Sequence, residues 1–296
     1  MIKKLYISFV LLVSVVCANA QHHTNRSIQA YQLKDYKLSL LYSDTAITLD
    51  AEKNNPTLWR VRAFAYKELY KASKDLDGAD ISNSIDCFLK AIELDTAKTD
   101  LASNRKSVKY LASKYWNASV AIIQEMYRTD YDKSIIYYEK YKEILNKLDN
   151  DISFKLQDVE VYNGLGQVHG TMYQQNKDSL YLYEKSLDWH YKAFEIDTNN
   201  ASANLSIGIL YYNKGVDLIL SLSIDADLQQ IFETQDKTIE LFLKSKPFLL
   251  RAHYRDPKNR EVLIGINGIM YELNDDEQIK YWKSKLDELE KLEDGN

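Results

Sequence analysis

The chain has 296 residues, 45% of them apolar, so it is long enough to bury a sizeable core. It contains only 3 Pro and 9 Gly, fewer turn residues than a sandwich or a barrel needs, and this scarcity favours long helices. The formal net charge is −5 and no basic stripe is visible, which argues against nucleic acid as a partner.

The first twenty residues have the pattern of an export signal. Lys3 and Lys4 precede a mostly apolar run over residues 5–16, and Ala18-Asn19-Ala20 supplies an A-x-A cleavage site. The run is too short to span about 30 Å of hydrocarbon, which disfavours a transmembrane anchor. The sequence therefore predicts a signal peptide over residues 1–20 and a periplasmic or secreted mature protein.

The two cysteines bear on anchoring and on disulfides. Cys17 follows the apolar run, so lipidation there is an alternative to simple export, but Val16 stands where a lipidated cysteine needs a small residue. After cleavage Cys87 would be the only cysteine, which excludes an internal disulfide, and its apolar surroundings predict a core position. Cleavage also removes two lysines and takes the net charge from −5 to −7.

A short motif recurs along the chain. Its copies are AITLD at 46–50, AIELD at 91–95, YKEIL at 141–145, AFEID at 193–197 and AHYRD at 252–256. Seven residues before each copy stands a serine: Ser39, Ser84, Ser134, Ser186 and Ser245. Ten residues before each copy stands an apolar or aromatic residue, and three before it stand Ser43, Phe88, Tyr138, His190 and Leu249. These offsets predict amphipathic helices with a small residue in the packing face. The serine hydroxyl is expected to bond to a carbonyl one turn earlier.

A second pattern precedes each of the later copies, and a further example follows the last one. Its three residues are spaced four then three apart and are usually large, small and aromatic. The triplets are Trp59-Ala63-Tyr66, Val108-Ala112-Tyr115, Tyr162-Gly166-His169, Asn204-Gly208-Tyr211 and Ile264-Gly268-Tyr271. The two patterns predict antiparallel helix pairs at about 25–53, 56–97, 101–148, 154–198, 201–257 and 259–293. The polar last helix is expected to cap the array.

The stretch ASANLSIGILYYNKG over 201–215, followed by Ser245-x6-Ala252-x3-Asp256, resembles the tetratricopeptide repeat (TPR). With its signal, its YYNKGVD segment and its long fifth pair, the chain resembles exported TPR proteins common in Bacteroidota. The resemblance implies an all-α, TPR-like solenoid of about five to six antiparallel helix pairs, wound as a right-handed superhelix, in one domain over 21–296. The spacing of 45 to 59 residues between copies departs from the usual 34 and implies extended helices.

The fifth pair carries the longest insertion. An apolar cluster occupies Val216, Leu218, Ile219, Leu220, Leu222 and Ile224. Burial between longer helices is the favoured interpretation, and an exposed docking patch is the alternative. Pro247 is expected either to start a helical segment or to kink one.

No catalytic or metal-binding motif is present in the sequence. H-E-x-x-H, paired C-x-x-C, G-x-S-x-G and a phosphate-binding glycine loop do not occur. His169, His190 and His253 occupy positions of packed residues, and Asp50, Asp95, Asp197 and Asp256 recur at helix ends, where a structural role suffices. The sequence therefore predicts a non-enzyme without cofactor or metal. It leaves the oligomeric state open.

The TPR resemblance also implies a peptide-binding groove, lined by the residues that follow the large and the small positions of each first helix. These are Arg60, Phe64, Lys109, Ser113, Asn163, Gln167, Leu205, Ile209, Gly265 and Ile269. Their mixed polarity does not reproduce a two-carboxylate clamp and predicts an adaptor that binds an extended or helical protein segment. An envelope glycan-binding protein is the first alternative, and an α-helical hydrolase with a carboxylate pair such as Asp158 and Glu160 is the second.

Overall fold

The computed structural model describes residues 22–125 and 130–294, and the predicted signal peptide lies outside these residues. In the described residues the chain forms twelve helices and no strand, which confirms the all-α prediction. The helices are α1 (His22–Gln32), α2 (Tyr36–Ala46), α3 (Pro56–Ser73), α4 (Ala79–Leu94), α5 (Leu101–Gln124), α6 (Asp132–Leu148), α7 (Lys155–Gln175), α8 (Leu180–Ile196), α9 (Ala201–Leu220), α10 (Leu228–Arg255), α11 (Arg260–Glu272) and α12 (Asp276–Asp294).

Successive helices pack as the predicted pairs, from α1 with α2 to α11 with α12. The described residues divide into two compact units, one made of residues 22–122 and 132–153, the other of residues 123–125, 130–131 and 154–294. The first unit buries Leu58, Ile81 and Phe88, and the second has a core around Leu249 and Ile266. None of the helices in the described ranges is long and apolar enough to cross a membrane.

In three of these pairs an asparagine side chain caps the N-terminus of the first helix. Asn55 accepts a hydrogen bond from the backbone N–H of Thr57, and Asn200 and Asn259 cap α9 and α11 in the same way. Each side-chain oxygen satisfies an N–H group that has no partner inside its helix. The N-caps fix the residue at which each pair starts.

Two of the repeated aspartates, Asp95 and Asp197, hold the turns that connect one pair to the next. The Asp95 carboxylate accepts hydrogen bonds from the N–H groups of Thr99 and Asp100, at 3.1 and 2.8 Å. Asp197 accepts from the N–H of Asn199 at 3.0 Å. These bonds hold the turns between pairs, and the predicted structural role of the aspartates is confirmed there.

The five repeated serines are fully buried and join the two helices of each pair. Each hydroxyl donates to a backbone carbonyl of the opposite helix, from Ser39 to Ser27 (2.9 Å), Ser84 to Ala63 (2.8 Å), Ser134 to Ser119 (3.1 Å), Ser186 to Gly166 (2.8 Å) and Ser245 to Gly208 (2.7 Å). The prediction that the serine hydroxyl bonds within its own helix is therefore wrong. A small residue at the acceptor position lets the serine reach the partner backbone.

This pairing corrects the predicted alignment of α5. The small residue opposite Ser134 is Ser119, seven residues after Ala112, which the sequence pattern assigned to that position. Two helical turns separate the two residues, so both lie on the buried face of the long helix α5. The amphipathic pattern alone could not distinguish them.

The alignment of α11 differs by one residue. Ala63 and Gly208 each lie eight residues after their N-cap asparagine, and the same count from Asn259 reaches Asn267 rather than Gly268. The side chains of Ile264 and Tyr271, predicted to pack, are 39% and 51% exposed. The buried positions of α11 therefore start one residue earlier than the sequence pattern indicated.

The insertion of the fifth pair is only partly buried. Val216 packs against the core around Leu249, as predicted, whereas Leu220 is 76% exposed and Ile224 is fully exposed. The prediction of burial is wrong for these two residues, because α9 ends at Leu220 and α10 does not begin until Leu228. Pro247 lies inside α10 and does not start it.

The first pair depends on a buried carboxylate. Glu52, in the segment after α2, is 1% exposed. It accepts hydrogen bonds from the N–H and the hydroxyl of Thr24, at 2.7 and 2.6 Å, and a longer one of 3.3 Å from the N–H of His23. The carboxylate satisfies N–H groups in the first turn of α1, and its charge suits the positive end of the helix dipole.

Candidate functional site

The second unit contains an open cavity of about 320 Å³ between α7, α8 and α9. It is lined by Gly166, Gln167, Gly170, Thr171 and Gln174 of α7, Ser186 and His190 of α8, Leu205, Ser206, Ile209, Leu210 and Asn213 of α9, and Glu261 of α11. Its size is at the lower end of the range of ligand pockets. Three predicted groove residues, Gln167, Leu205 and Ile209, are thereby brought together at one site.

Two glycines of α7 shape the floor of the cavity. A Cβ atom at Gly166 would lie 2.6 Å from Nε2 of His190, and one at Gly170 would lie 3.0 Å from the hydroxyl of Ser186. Glycine therefore allows α8 to approach α7 closely and to place His190 and Ser186 against the cavity. The rim residue Gln167 is exposed.

His190 is held by a chain of polar contacts. Its Nδ1 donates to Oδ1 of Asn163 at 3.1 Å, and the amide nitrogen of Asn163 donates to Oδ1 of Asn200 at 3.1 Å. Asn200 also caps α9 by accepting from the N–H of Ala203. The predicted groove residue Asn163 is thus half-buried and positions His190 relative to α9.

The imidazole of His190 is uncharged near neutral pH. The side chain is 2% exposed, and burial lowers the pKa of His190 from 6.5 to about 4, because the charged ring loses its hydration. The predicted packing role of His190 is confirmed. The cavity floor therefore offers a neutral ring.

The walls combine apolar and amide side chains. Leu205 and Ile209 are half-buried, since their inner faces pack against the core around Leu249. Gln174 and Asn213 supply amide groups that can both donate and accept hydrogen bonds. Glu261 is the one charged side chain in the lining. Such a surface suits a neutral or weakly basic ligand with apolar side chains and peptide groups.

The sequence pattern did not identify several of these residues. Thr171 and Gln174 follow the predicted residue Gln167 by four and seven residues, which places all three along one face of α7. Ser206 and Asn213 are spaced seven apart on α9 in the same manner. These cavity residues could have been predicted from one signal in the sequence, namely uncharged polar residues at helical spacing next to a glycine.

The remaining groove candidates lie elsewhere. Arg60 pairs with Asp100 at 3.0 Å and stands over the ring of Phe64, which packs edge-on against Phe88. Lys109 is exposed on α5. These residues belong to the first unit, where Arg60 and Phe64 serve packing.

The last pair of candidates is buried. Ile269 is fully buried in the core around Leu249, and Gly265 is also buried, where a Cβ would meet Leu249 at 2.8 Å. The one-residue difference in α11 accounts for this placement, since the groove positions counted from Asn259 are Ile264 and Gly268. Ile269 and Gly265 therefore do not contribute to a groove surface.

The first unit has a smaller cavity, of about 240 Å³, beside Asp77, Tyr115 and Lys140. A hydrogen bond and an ion pair from Lys133, together with the hydroxyl of Tyr137, hold the pKa of the Asp77 carboxyl below its usual range. Lys140 pairs with Asp77 and Lys147 pairs with Glu143, and none of the predicted groove residues lines this cavity. Of these two cavities, the one between α7, α8 and α9 is therefore the stronger candidate site.

Comparison of the chain with protein-family models gives no match, and comparison with curated proteins gives no significant relative. The assignment of a function rests on the sequence pattern and on the geometry of the site.

Proposed function

We propose that this protein is an exported, non-enzymatic TPR-like scaffold that binds a segment of a protein partner in the cavity between α7, α8 and α9. In this proposal the consecutive helix pairs stack as a right-handed solenoid, and first helices line its concave groove. The observation that carries the proposal is the convergence of Gln167, Leu205 and Ile209 on one open cavity. These residues come from equivalent positions of two successive pairs.

The chemistry of the lining favours a peptide segment. An apolar side chain of the partner would lie on Leu205 and Ile209, and its backbone amides would exchange hydrogen bonds with Gln174 and Asn213. Glu261 would favour a nearby lysine, arginine or free amino terminus on the partner. A volume of about 320 Å³ accommodates a few side chains rather than a folded domain.

The lining gives less support to the two alternatives. Sugar rings are held by stacking on aromatic side chains, and the residues that line this cavity include no aromatic ring apart from the imidazole of His190. Glycoside hydrolysis needs two carboxylates on opposite sides of the bond, whereas this cavity has one, Glu261. A peptide segment uses both the apolar and the amide surfaces.

Photo-crosslinking in the native cell tests this proposal. A photoreactive residue at the exposed rim position Gln167 is expected to capture a defined protein partner. The same residue at Leu156, which is 84% exposed on the same helix and outside the cavity, provides the matched control. Capture of the same proteins in equal yield at both positions would contradict binding in the cavity.

A further inference from the structure

We infer that this protein has a second docking surface, at the tip of the fifth pair, which binds a basic amphipathic helix of a partner. The tip is defined by Leu220, Ile224, Leu228, Ile231 and Phe232, all within thirteen consecutive residues. Leu220, Leu228 and Phe232 are exposed by 76, 72 and 60%, and Ile224 fully. The tip is separate from the cavity, since none of its residues lines that site.

The tip exists because α10 is longer than the helix it packs against. Gly215 of α9 lies against Phe242 of α10, and Gly208 lies against Leu249. The same antiparallel pairing places the end of α9, Leu220, opposite about residue 237 of α10. The first two turns of α10 therefore extend beyond α9.

The exposed turns continue the packing face of α10. Ile231 lies seven residues before Thr238 and eleven before Phe242, and both of these side chains are buried. Residues at these separations share one face of a helix. Leu228 and Phe232 flank Ile231. The apolar face of α10 thus extends for about two turns without a partner helix, and this is the surface that an added helix covers.

The charges around the tip select the partner. Asp225, Asp227, Glu233 and Asp236 lie between or beside the apolar residues, and Lys237 is the single base between residues 218 and 240. In the described part of the chain no ion pair engages these four carboxylates, although Asp227 caps α10 and Glu233 accepts from Gln229. A helix with leucine-like residues on one face and lysine or arginine along its edges complements both features.

The same charges argue against two other occupants. A second copy of the chain would bring its own carboxylates against these and would be repelled at low salt. An anionic membrane surface would repel the tip for the same reason. The apolar face therefore requires a partner that carries positive charge.

Binding of designed peptides to the full mature chain tests the inference. The probe is a fluorescent 14-residue helical peptide of leucine and lysine, and the comparison peptide has glutamate at every lysine position. We expect the lysine peptide to bind and the glutamate peptide not to bind. The affinity of the lysine peptide should fall about tenfold or more in the double variant Leu228→Ser/Phe232→Ser and on Asp225→Asn/Asp236→Asn, and should weaken as salt is added.

The variants and controls make the result decisive. The tip side chains are exposed, so Leu228→Ser/Phe232→Ser should melt at the wild-type temperature. Leu156→Ser, at a leucine of α7 that is 84% exposed, should bind as wild type. Ser206→Trp, which fills the cavity between α7, α8 and α9, should also leave binding of the lysine peptide unchanged. A failure of the tip inference can therefore be distinguished from a failure of the proposed function. Equal binding of the glutamate peptide, or binding insensitive to the double variant, would overturn the inference.

Two other results would assign the tip to another occupant and overturn the inference in the same way. One is self-association of the wild type in sedimentation that the double variant abolishes. The other is co-sedimentation with vesicles of phosphatidylcholine, or of phosphatidylcholine with phosphatidylserine, that the double variant abolishes.

Discussion

The hydroxyl of Ser245 on α10 donates a 2.7 Å hydrogen bond to the backbone carbonyl of Gly208 on α9. The serine is fully buried, and the carbonyl belongs to a residue without a side chain, so the two helices approach closely at this point. Equivalent bonds join the helices of four other pairs. The combination of a serine on one helix and a small residue on the other is thus the repeated unit of this fold.

Substitution of Gly208 by alanine is expected to destabilise the second unit. The new Cβ would lie 2.6 Å from Cδ2 of Leu249 and 3.2 Å from its backbone nitrogen, so part of α10 would have to shift. Overpacking of this kind costs about 1–3 kcal/mol, which exceeds the helix propensity gained on replacing glycine. Urea unfolding measures the change in the free energy of unfolding.

Gly170→Ala is the matched control for that experiment. Its Cβ would meet only the side chain of Ser186, with the hydroxyl at 3.0 Å, and the alanine gains about 0.5–1 kcal/mol of helix propensity. We expect a net change close to zero. A Gly208→Ala protein as stable as Gly170→Ala would show that α9 and α10 are not as close as described.

Removal of the Ser245 hydroxyl is expected to weaken the same helix pair. Ser245→Ala deletes a buried hydrogen bond with little change in volume, which costs about 1 kcal/mol. Ser284→Ala is the control, because Ser284 is exposed and bonds to Tyr281 of its own helix at 2.8 Å. Thermal unfolding should separate the two variants, and equal melting temperatures would be evidence against the role of the serine.

Protonation of His190 should make the second unit less stable in acid. Burial lowers the pKa of His190 from 6.5 to about 4, so the unfolded state binds a proton more readily than the folded state. The stabilisation by the neutral ring is complete above the unfolded pKa and is lost as the pH falls from about 6.5 to about 4. It amounts to about 3 kcal/mol at most.

The variant His190→Gln isolates this contribution, because its amide can still donate to Asn163 but does not titrate. The free energy of unfolding should be measured for both proteins between about pH 7.5 and pH 4. We expect the advantage of the wild type over the variant to shrink as the pH falls. A difference that stays constant, or grows in acid, would exclude the assigned burial.

Loss of the Glu52 carboxylate should loosen the first pair. Glu52→Ala leaves the N–H and hydroxyl of Thr24 without their acceptor, at a cost of about 2 kcal/mol. Amide hydrogen exchange should therefore accelerate in α1 more than in α4. The control Glu93→Ala, at an exposed glutamate of α4, should leave the exchange rates of both helices unchanged. Exchange in α1 that stays as slow in Glu52→Ala as in the wild type would contradict the capping role.

The sequence predicted the helix pairs well because the serine and the motif after it are local and repeat at helical spacing. The alignment of the first helices was harder. In α5, Ala112 and Ser119 lie on the same face, and only the serine bond of α6 identifies the true contact. In α11, the distance from the capping Asn259 was a better guide than the position of Gly268.

The lining of the candidate cavity was predicted in part. Gln167, Leu205 and Ile209 reach one cavity because their positions relative to the small residues Gly166 and Gly208 are correct. Ile269 does not, owing to the one-residue difference in α11. Glu52 and the exposed tip at Leu220 could not be predicted, since both depend on where one helix ends relative to a distant part of the chain.

The affinity of the captured partner segment for a cavity-filled variant tests the central claim most directly. Ser206 lines the cavity and is half-buried, so Ser206→Trp should occupy the space of the segment while the core around Leu249 is kept. Titration calorimetry with the segment crosslinked at Gln167 is expected to show binding to the wild type and a loss of about tenfold or more in Ser206→Trp. Equal affinity for both proteins, with unchanged melting temperatures, would contradict binding in this cavity.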